Sequence, residues 1–288
     1  VLGGIEASLR RLTHYDYWKE QYKPSILVES GADMIIYGMG EMPTLELCRS
    51  LQEAIQTSHP LLHYDENGEP CITTACFRDA VQHTRQIPQT VSLYSEHEIP
   101  GHISEEDIVL HSFEDSVRNG KLHAENFRHI EEESNRIHAR RLLQKHGKAW
   151  AVVNPPYPPL TQEQLDHSFD LPYTRLPHPK YKGKRIPAYE MIKFSVNLHR
   201  GCFGGCAFCT ISAHQGKFIV SRSKRSILEE VEKICQMPDF KGYLSDLGGP
   251  SANMYAMKGR DQELCGKCKR PSCIHPRICP NLNADPRP

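Results

Sequence analysis

No stretch of this 288-residue chain reaches the roughly 18 consecutive apolar residues of a membrane-spanning helix. The first residues, VLGGIEASLRR, lack the charged, apolar and small-residue zones of a secretory signal. Net charge is also lacking: 35 basic side chains balance 35 acidic ones, so no overall field draws in nucleic acid or an anionic surface. No Ser/His/Asp or paired-carboxylate constellation stands out, and the 16 histidines are scattered without metal-ligand spacing. These absences predict a soluble cytoplasmic protein with neither membrane nor nucleic acid as its partner.

What the chain has is length and thiols. With 39% hydrophobic and 24% charged residues it can build two ordinary cores. Its 11 cysteines are many for such a compartment, and an odd number leaves no complete disulfide framework. They fall into groups: Cys202, Cys206 and Cys209, then Cys265, Cys268, Cys273 and Cys279. Cys48, Cys71, Cys76 and Cys235 stand apart and read as ordinary thiols.

VLGG reads as the end of a strand followed by a turn, and ADMIIYGMGE (32–41) repeats the design. TLELCRSLQEAI then carries a helical stripe of Leu47, Cys48, Leu51, Ala54 and Ile55. Strand, glycine turn and helix in succession predict an α/β fold with an open parallel sheet. Ser104 with Asp107 reads as a helix start. A charged helix is expected from Ala124 to His146, burying Phe127, Ile130, Ile137 and Leu142 and ending at Gly147. WAVVNPPYPPL is a short strand stopped by prolines. A Pro-rich run over 172–187 follows, and a domain boundary is expected near residue 185.

The next segment, MIKFSVNLHRG, alternates Ile192, Phe194, Val196 and Leu198 with polar residues, which is the period of a strand. The loop CFGGCAFC leaves its carboxyl end. In SILEEVEKIC, Ser226 and Glu229 make a capping box, Ile227, Leu228, Val231, Ile234 and Cys235 make a stripe, and Pro238 closes it. GYLSDLGGP is a second strand and turn. Strand, loop, helix, strand predicts the beginning of a β/α barrel, whose chemistry sits at the carboxyl ends of its strands.

The spacing C-x3-C-x2-C offers three soft thiolates. Structural zinc takes four protein ligands, whereas a four-iron cluster held by three cysteines leaves one iron open to a substrate or cofactor. Glycines let the backbone wrap closely, and Phe208 can pack on an adenine. A Cys3His zinc site using His199, a purely electron-carrying cluster and ordinary buried thiols are the alternatives.

CFGGCAFC matches C-x3-C-x-aromatic-C at every position and resembles the signature of the radical SAM superfamily. The resemblance implies that Cys202, Cys206 and Cys209 hold a [4Fe-4S] cluster whose open iron chelates S-adenosylmethionine. It implies reductive cleavage to methionine and a 5′-deoxyadenosyl radical, with a one-electron donor such as flavodoxin or ferredoxin as partner. LSDLGGPS resembles the family's glycine motif, which assigns Gly248 and Gly249, with Phe208, to cofactor binding; Pro250 stands where many members carry Glu. GGIEASLRRLTHYDYW, SILVESGADMIIYGMGE, DLPYTRLPHPKYKGKRIPAYEMIKFSVNLHRGCFGGCAFC and SDLGGPSANMY together resemble the YgiQ-type radical SAM proteins. That likeness implies a partial Rossmann-like domain over 1–120, a helix and Pro-rich connection over 121–187, and the start of a radical SAM barrel over 188–288. The first domain resembles cobalamin-binding ones but lacks a D-x-H-x-x-G motif, so a scaffold without cobalamin is expected.

CGKCKRPSCIHPRICPN has the ligand count for zinc or an auxiliary iron–sulfur cluster, and unligated thiols are the third possibility. Lys267, Lys269, Arg270 and Arg277 make that loop locally basic, as a solvated surface. His14, Tyr15, Asp16, Tyr17 and Trp18 follow the first GG turn and are candidates either for a site or for an interface. A β/α barrel needs roughly 200 residues, so an internal piece of a longer enzyme is expected. A non-catalytic, zinc-stabilised binding module is the rival reading.

Overall fold

A computed structural model of the chain describes residues 1–57, 62–64, 67–68, 70–72 and 84–285. The chain divides into two compact units, 1–158 and 159–288, and the division falls in the first proline run. Cys76 lies outside the described residues, as do the side chains of Ala54 and Ile55. No helix among the described residues is long and apolar enough to cross a membrane.

In the first unit, α1 (Gly4–Leu9) precedes the hairpin β1 (His14–Asp16) and β2 (Gln21–Lys23). Next come α2 (Ile26–Ser30), β3 (Met34–Ile36) and α3 (Glu41–Thr57). β4 (Leu62–Tyr64) and β5 (Pro70–Ile72) pair with each other. β6 (Thr90–Ser95), β7 (Ile108–Val109), α4 (Phe113–Arg118), α5 (Gly120–Ser134), β8 (Leu142–His146) and β9 (Ala149–Val153) complete the unit. The main sheet runs β3-β6-β9-β8-β7. Leu2 joins it through a parallel bridge to Ile35, held by Leu2 N–H to Met34 O at 2.9 Å and Ile36 N–H to Leu2 O at 2.8 Å. VLGG therefore ends a strand-like segment as the sequence predicts.

The fold is mixed α/β, but the sheet is not the parallel one expected. β3–β6, β6–β9 and β8–β9 are antiparallel and β7–β8 is parallel. For β8–β9 the departure has a local cause at Gly147. His146 pairs with Ala149 across a two-residue turn, and Gly147 occupies the left-handed region with φ 61° that such hairpins require. Leu142–His146 is thus the first arm of a hairpin rather than the end of a helix. The charged helix stops at Ser134, with Asn135 as its cap. Its buried residues are Asn126 and Glu133, whereas Phe127 is exposed. Asn126 clamps the backbone of His111 through both ends of its amide, and that demand outweighs the apolar stripe. Ser104 N–H bonds to the Asp107 carboxylate in a turn, not a helix start, and Asp107 then pairs with Arg141. Both faces of the sheet are covered: Ile35, Val91, Ala151 and Val153 pack on one side, Leu143 and Val152 with Tyr94 on the other. Each fully buried aliphatic side chain contributes about 2 kcal/mol.

The second unit holds α6 (Gln162–Phe169), α7 (Pro187–Ile192), β10 (Ser195–Asn197), β11 (His199–Arg200), α8 (Ile211–Gln215), β12 (Val220–Ser221) and α9 (Lys224–Cys235). β13 (Asp246–Gly248), β14 (Lys258–Gly259), α10 (Gln262–Lys267) and β15 (Leu282–Asn283) follow. β10 and β13 pair in parallel, and α9 lies between them in sequence. Phe194, Val196, Leu198, Ile227 and Ile234 form the core under this pair. Ile192 instead ends α7 and is 61% exposed.

The cap of α9 is Ser223, one turn earlier than the predicted Ser226, and its hydroxyl accepts from Ser226 N–H. Ser226 is buried inside the helix because its hydroxyl receives from Arg222 and donates to Asp170. Leu228 and Cys235 face outward. Arg222 is fully buried, bonded to Asn197 O, Ser226 and Glu230 and stacked over Phe169.

Candidate metal centre

Pairing of His199 with Ser221 and of Arg200 with Val220 closes a lobe from 201 to 219 that contains the three grouped cysteines. Cys202 N–H donates to Gly216 O at 3.0 Å and Cys209 N–H to Cys206 O at 3.0 Å. Cys202 is buried, Cys209 half-buried and Cys206 exposed. A Cβ placed on Gly204 would lie 3.4 Å from Cys202 Sγ and 3.7 Å from Cys206 Sγ. Both thiols therefore border one side-chain-free space. Phe208 beside the last cysteine is 89% exposed.

The parallel register sets Asn197 beside Gly248, and Leu198 N–H donates to Gly248 O at 2.8 Å. The start of the cysteine loop and the Gly-Gly-Pro turn consequently lie side by side. Ser251, just after that turn, brings its hydroxyl to 3.2 Å from Cys202 Sγ. The sequence reading did not single out Ser251, although its place directly after GGP was the available signal.

His199 does not complete a zinc site. Its Nε2 accepts the Met254 N–H at 3.0 Å, and its burial lowers its pKa below the usual imidazole value. A neutral ring with Nε2 engaged carries its proton on Nδ1 and offers no free lone pair to a metal. Among the described residues, no three His, Cys, Asp or Glu side chains are gathered to hold a single ion. Thiolates around one zinc stand about 3.8 Å apart, given Zn–S bonds near 2.3 Å; a four-iron cluster takes one thiolate per iron and a wider set.

The second cysteine group packs against the first. Cys273 and Cys279 join the cluster formed by Cys202, Phe203, Met254 and Leu282. Cys268 N–H bonds to Cys265 O at 3.1 Å and Cys279 N–H to Cys273 O at 2.7 Å. Lys217 is buried here, donating to Arg270 O at 2.7 Å, with its Nζ 3.8 Å from Cys268 Sγ. No sequence motif marks it. Burial pushes the Cys265 thiol up, and the neighbouring Cys268 and Cys279 push the same way. Burial also raises Cys273, against the opposing pull of Lys217. The nine cysteines whose side chains are described are free thiols. Arg270 is bound to the carbonyls of His275 and Arg277 within its own loop.

The His14–Trp18 segment lies in the other unit, on the β1–β2 hairpin. Asp16 accepts from the backbone N–H groups of Trp18 and Lys19, which makes it a turn former. Tyr15, Tyr17 and Trp18 are exposed.

The sequence model of the radical SAM N-terminal family matches residues 1–195, more than half of the chain. The chain belongs to the radical SAM N-terminal family. Similarity to UPF0313 proteins extends further, across the cysteine loop. The chain is 61% identical over 285 residues to one from Bacteroides thetaiotaomicron, covering 99% of this chain and 44% of that protein. It is 56% identical to one from Porphyromonas gingivalis, covering 100% and 42%. It is 39% identical to UPF0313 protein YgiQ of Salmonella typhimurium over 318 residues, covering 100% and 44%. The resemblance to YgiQ-type proteins read from the sequence is borne out. This radical SAM N-terminal family chain spans less than half the length of these curated relatives. No solved structure matches it.

Proposed function

We propose that the second unit is the opening segment of a radical SAM barrel, and that Cys202, Cys206 and Cys209 hold a [4Fe-4S] cluster serving S-adenosylmethionine. The supporting observation is the space beside Gly204, which borders two of the three thiols and which any side chain at that position would fill. When bound, the cluster supplies the electron that cleaves S-adenosylmethionine into methionine and a 5′-deoxyadenosyl radical, which then takes hydrogen from the substrate.

This chain's residues would bind and orient. Cys202 and Cys206 offer their thiols across the Gly204 space, and Cys209 supplies the third donor. Ser251 presents a hydroxyl at the buried thiol. Phe208 leaves an aromatic face free for an adenine. Gly248 and Gly249 set the turn whose backbone groups meet the amino end of S-adenosylmethionine. The first unit, 1–158, serves as a scaffold. Cys265, Cys268, Cys273 and Cys279 are proposed as a second metal site, for zinc or an iron–sulfur cluster. A small redox protein supplies the electron, in a cytoplasmic setting.

Anaerobic reconstitution with iron and sulfide tests the reading. Brown protein absorbing at about 400 nm, with about four irons at the Cys202 loop, is the expected result. Addition of a reductant and S-adenosylmethionine to the chain extended to its relatives' length is expected to release 5′-deoxyadenosine. Colourless protein carrying only zinc would overturn the proposal in favour of a zinc-stabilised binding module.

A further inference from the structure

The lobe between β11 and β12 sends one buried cation into the second cysteine group. Lys217 is 3% exposed, and its Nζ donates to Arg270 O at 2.7 Å and to Cys268 Sγ at 3.8 Å. No carboxylate pairs with it among the described residues. The other cations of that loop point elsewhere. Lys267, Lys269 and Arg277 are exposed, and Arg270 is held by the carbonyls of its own loop.

The sulfurs around Lys217 are placed as acceptors. Cys265 Sγ receives the Asn281 amide at 3.4 Å, and a Cβ on Gly259 would fall 2.2 Å from that sulfur, so glycine there leaves it room. Cys265, Cys268 and Cys279 each act on the Cys273 thiol as like charges, while Lys217 acts with the opposite sign. The four sulfurs thus share one neighbourhood. No three of them are nevertheless drawn together as the shell of a single ion. That wider spread suits a four-iron cluster, with one thiolate per iron, better than one zinc, whose sulfurs stand about 3.8 Å apart.

Four thiolates outweigh the positive charge of an oxidised iron–sulfur core, so the centre is a net anion. A buried anion and a buried ammonium each need a counter-charge, and here each meets the other. We propose that Cys265, Cys268, Cys273 and Cys279 hold a [4Fe-4S] cluster rather than zinc, with Lys217 as its counter-ion and hydrogen-bond donor. The inference rests on the second metal site proposed above and is independent of S-adenosylmethionine chemistry. With a cysteine on every iron the cluster has no open position, and it carries single electrons. Reduction adds one negative charge to the core and changes no bond to the protein. The ammonium favours that reduced form and so holds the reduction potential up.

The test uses the full chain with Cys202, Cys206 and Cys209 replaced by Ala, so that the second group alone can take up iron. After anaerobic reconstitution, about four irons with as much sulfide are expected, together with reversible one-electron reduction by dithionite followed by electron paramagnetic resonance. Lys217→Met is expected to keep the iron and shift the reduction equilibrium at least tenfold against the reduced form, about 59 mV more negative for one electron. Lys217→Arg is expected to stay near the parent. Should the triple variant fail to fold, the wild-type chain is titrated instead, and the second cluster is the one whose signal S-adenosylmethionine leaves unchanged. Should Lys217→Met fail to take up iron, loading that survives in Lys217→Arg supports the counter-ion, and loss in both overturns it. Absence of any metal would remove the second site itself. Zinc without iron would overturn the cluster, and an unmoved potential in loaded Lys217→Met would overturn the role of Lys217.

Discussion

The Cys273 N–H donates to the Phe203 carbonyl at 3.0 Å, so the two cysteine groups, whose nearest members Cys209 and Cys265 are 56 residues apart in the chain, fold as one lobe. Gly205 makes that contact possible. It adopts φ 60°, and a Cβ there would fall 2.4 Å from Pro271 O. Gly205→Ala combines left-handed strain of about 1–2 kcal/mol with a backbone clash. The expected result is a loss of at least about 2 kcal/mol in urea unfolding, accompanied by lower iron uptake. Unchanged unfolding would mean that the two loops do not meet.

Single replacement of Cys202, Cys206 or Cys209 by Ser is expected to bring reconstituted iron at the loop to background. Cys48→Ser and Cys235→Ser, at exposed positions, should leave it unaltered. Iron content and the visible spectrum provide the measurement. Retention of the full spectrum in any of the first three variants contradicts the ligand assignment.

Thiol reactivity offers a test that needs no metal. The thiolate is the reactive form, and burial raises both Cys265 and Cys273. Cys48, Cys206 and Cys235 are exposed. Alkylation of the metal-free protein with iodoacetamide at neutral pH, followed by mass spectrometry, should label the exposed three several-fold faster than Cys265 and Cys273. Equal rates would mean that the second group is open to solvent.

Acid should weaken the first unit through His146. Its ring is buried against Phe113, with neither nitrogen hydrogen-bonded, and burial lowers its pKa to about 4 from 6.5. The unfolded chain therefore binds a proton more readily than the folded one. Its neutral form is stabilising above pH 6.5, and that stability is lost as pH falls from 6.5 to about 4. The loss is on the order of 3 kcal/mol. His146→Phe is expected to flatten this part of a stability-against-pH curve measured by urea unfolding. A curve with unchanged slope would remove His146 as the cause.

Short-range patterns were the legible part of this chain. Alternation in Phe194, Val196 and Leu198 marked β10, and the GG turn marked the end of the Leu2 segment. The spacing of Cys202, Cys206 and Cys209 located the loop without help from tertiary structure. Sheet direction was not legible, because strand–turn–helix order fits parallel and mixed sheets alike and the long-range pairings β3–β6 and β6–β9, with the hairpin β8–β9, decide it. Polar burial was hidden as well: nothing local distinguishes Asn126 or Arg222 from a surface residue until its distant partners are in place. Lys217 enters the cysteine lobe through a contact 51 residues away in sequence, beyond the reach of any local pattern, and only its place after GGP marked Ser251, whose contact is 49 residues away.

Gly249 faces His199 so closely that an added Cβ would overlap the imidazole, 2.0 Å from Nε2. The ring in turn grips Met254 N–H, three residues beyond the serine that touches Cys202. Glycine turn, imidazole and buried thiol are thereby geared together. Even a single methyl group at position 249 would be transmitted to the sulfur donor without ever approaching it.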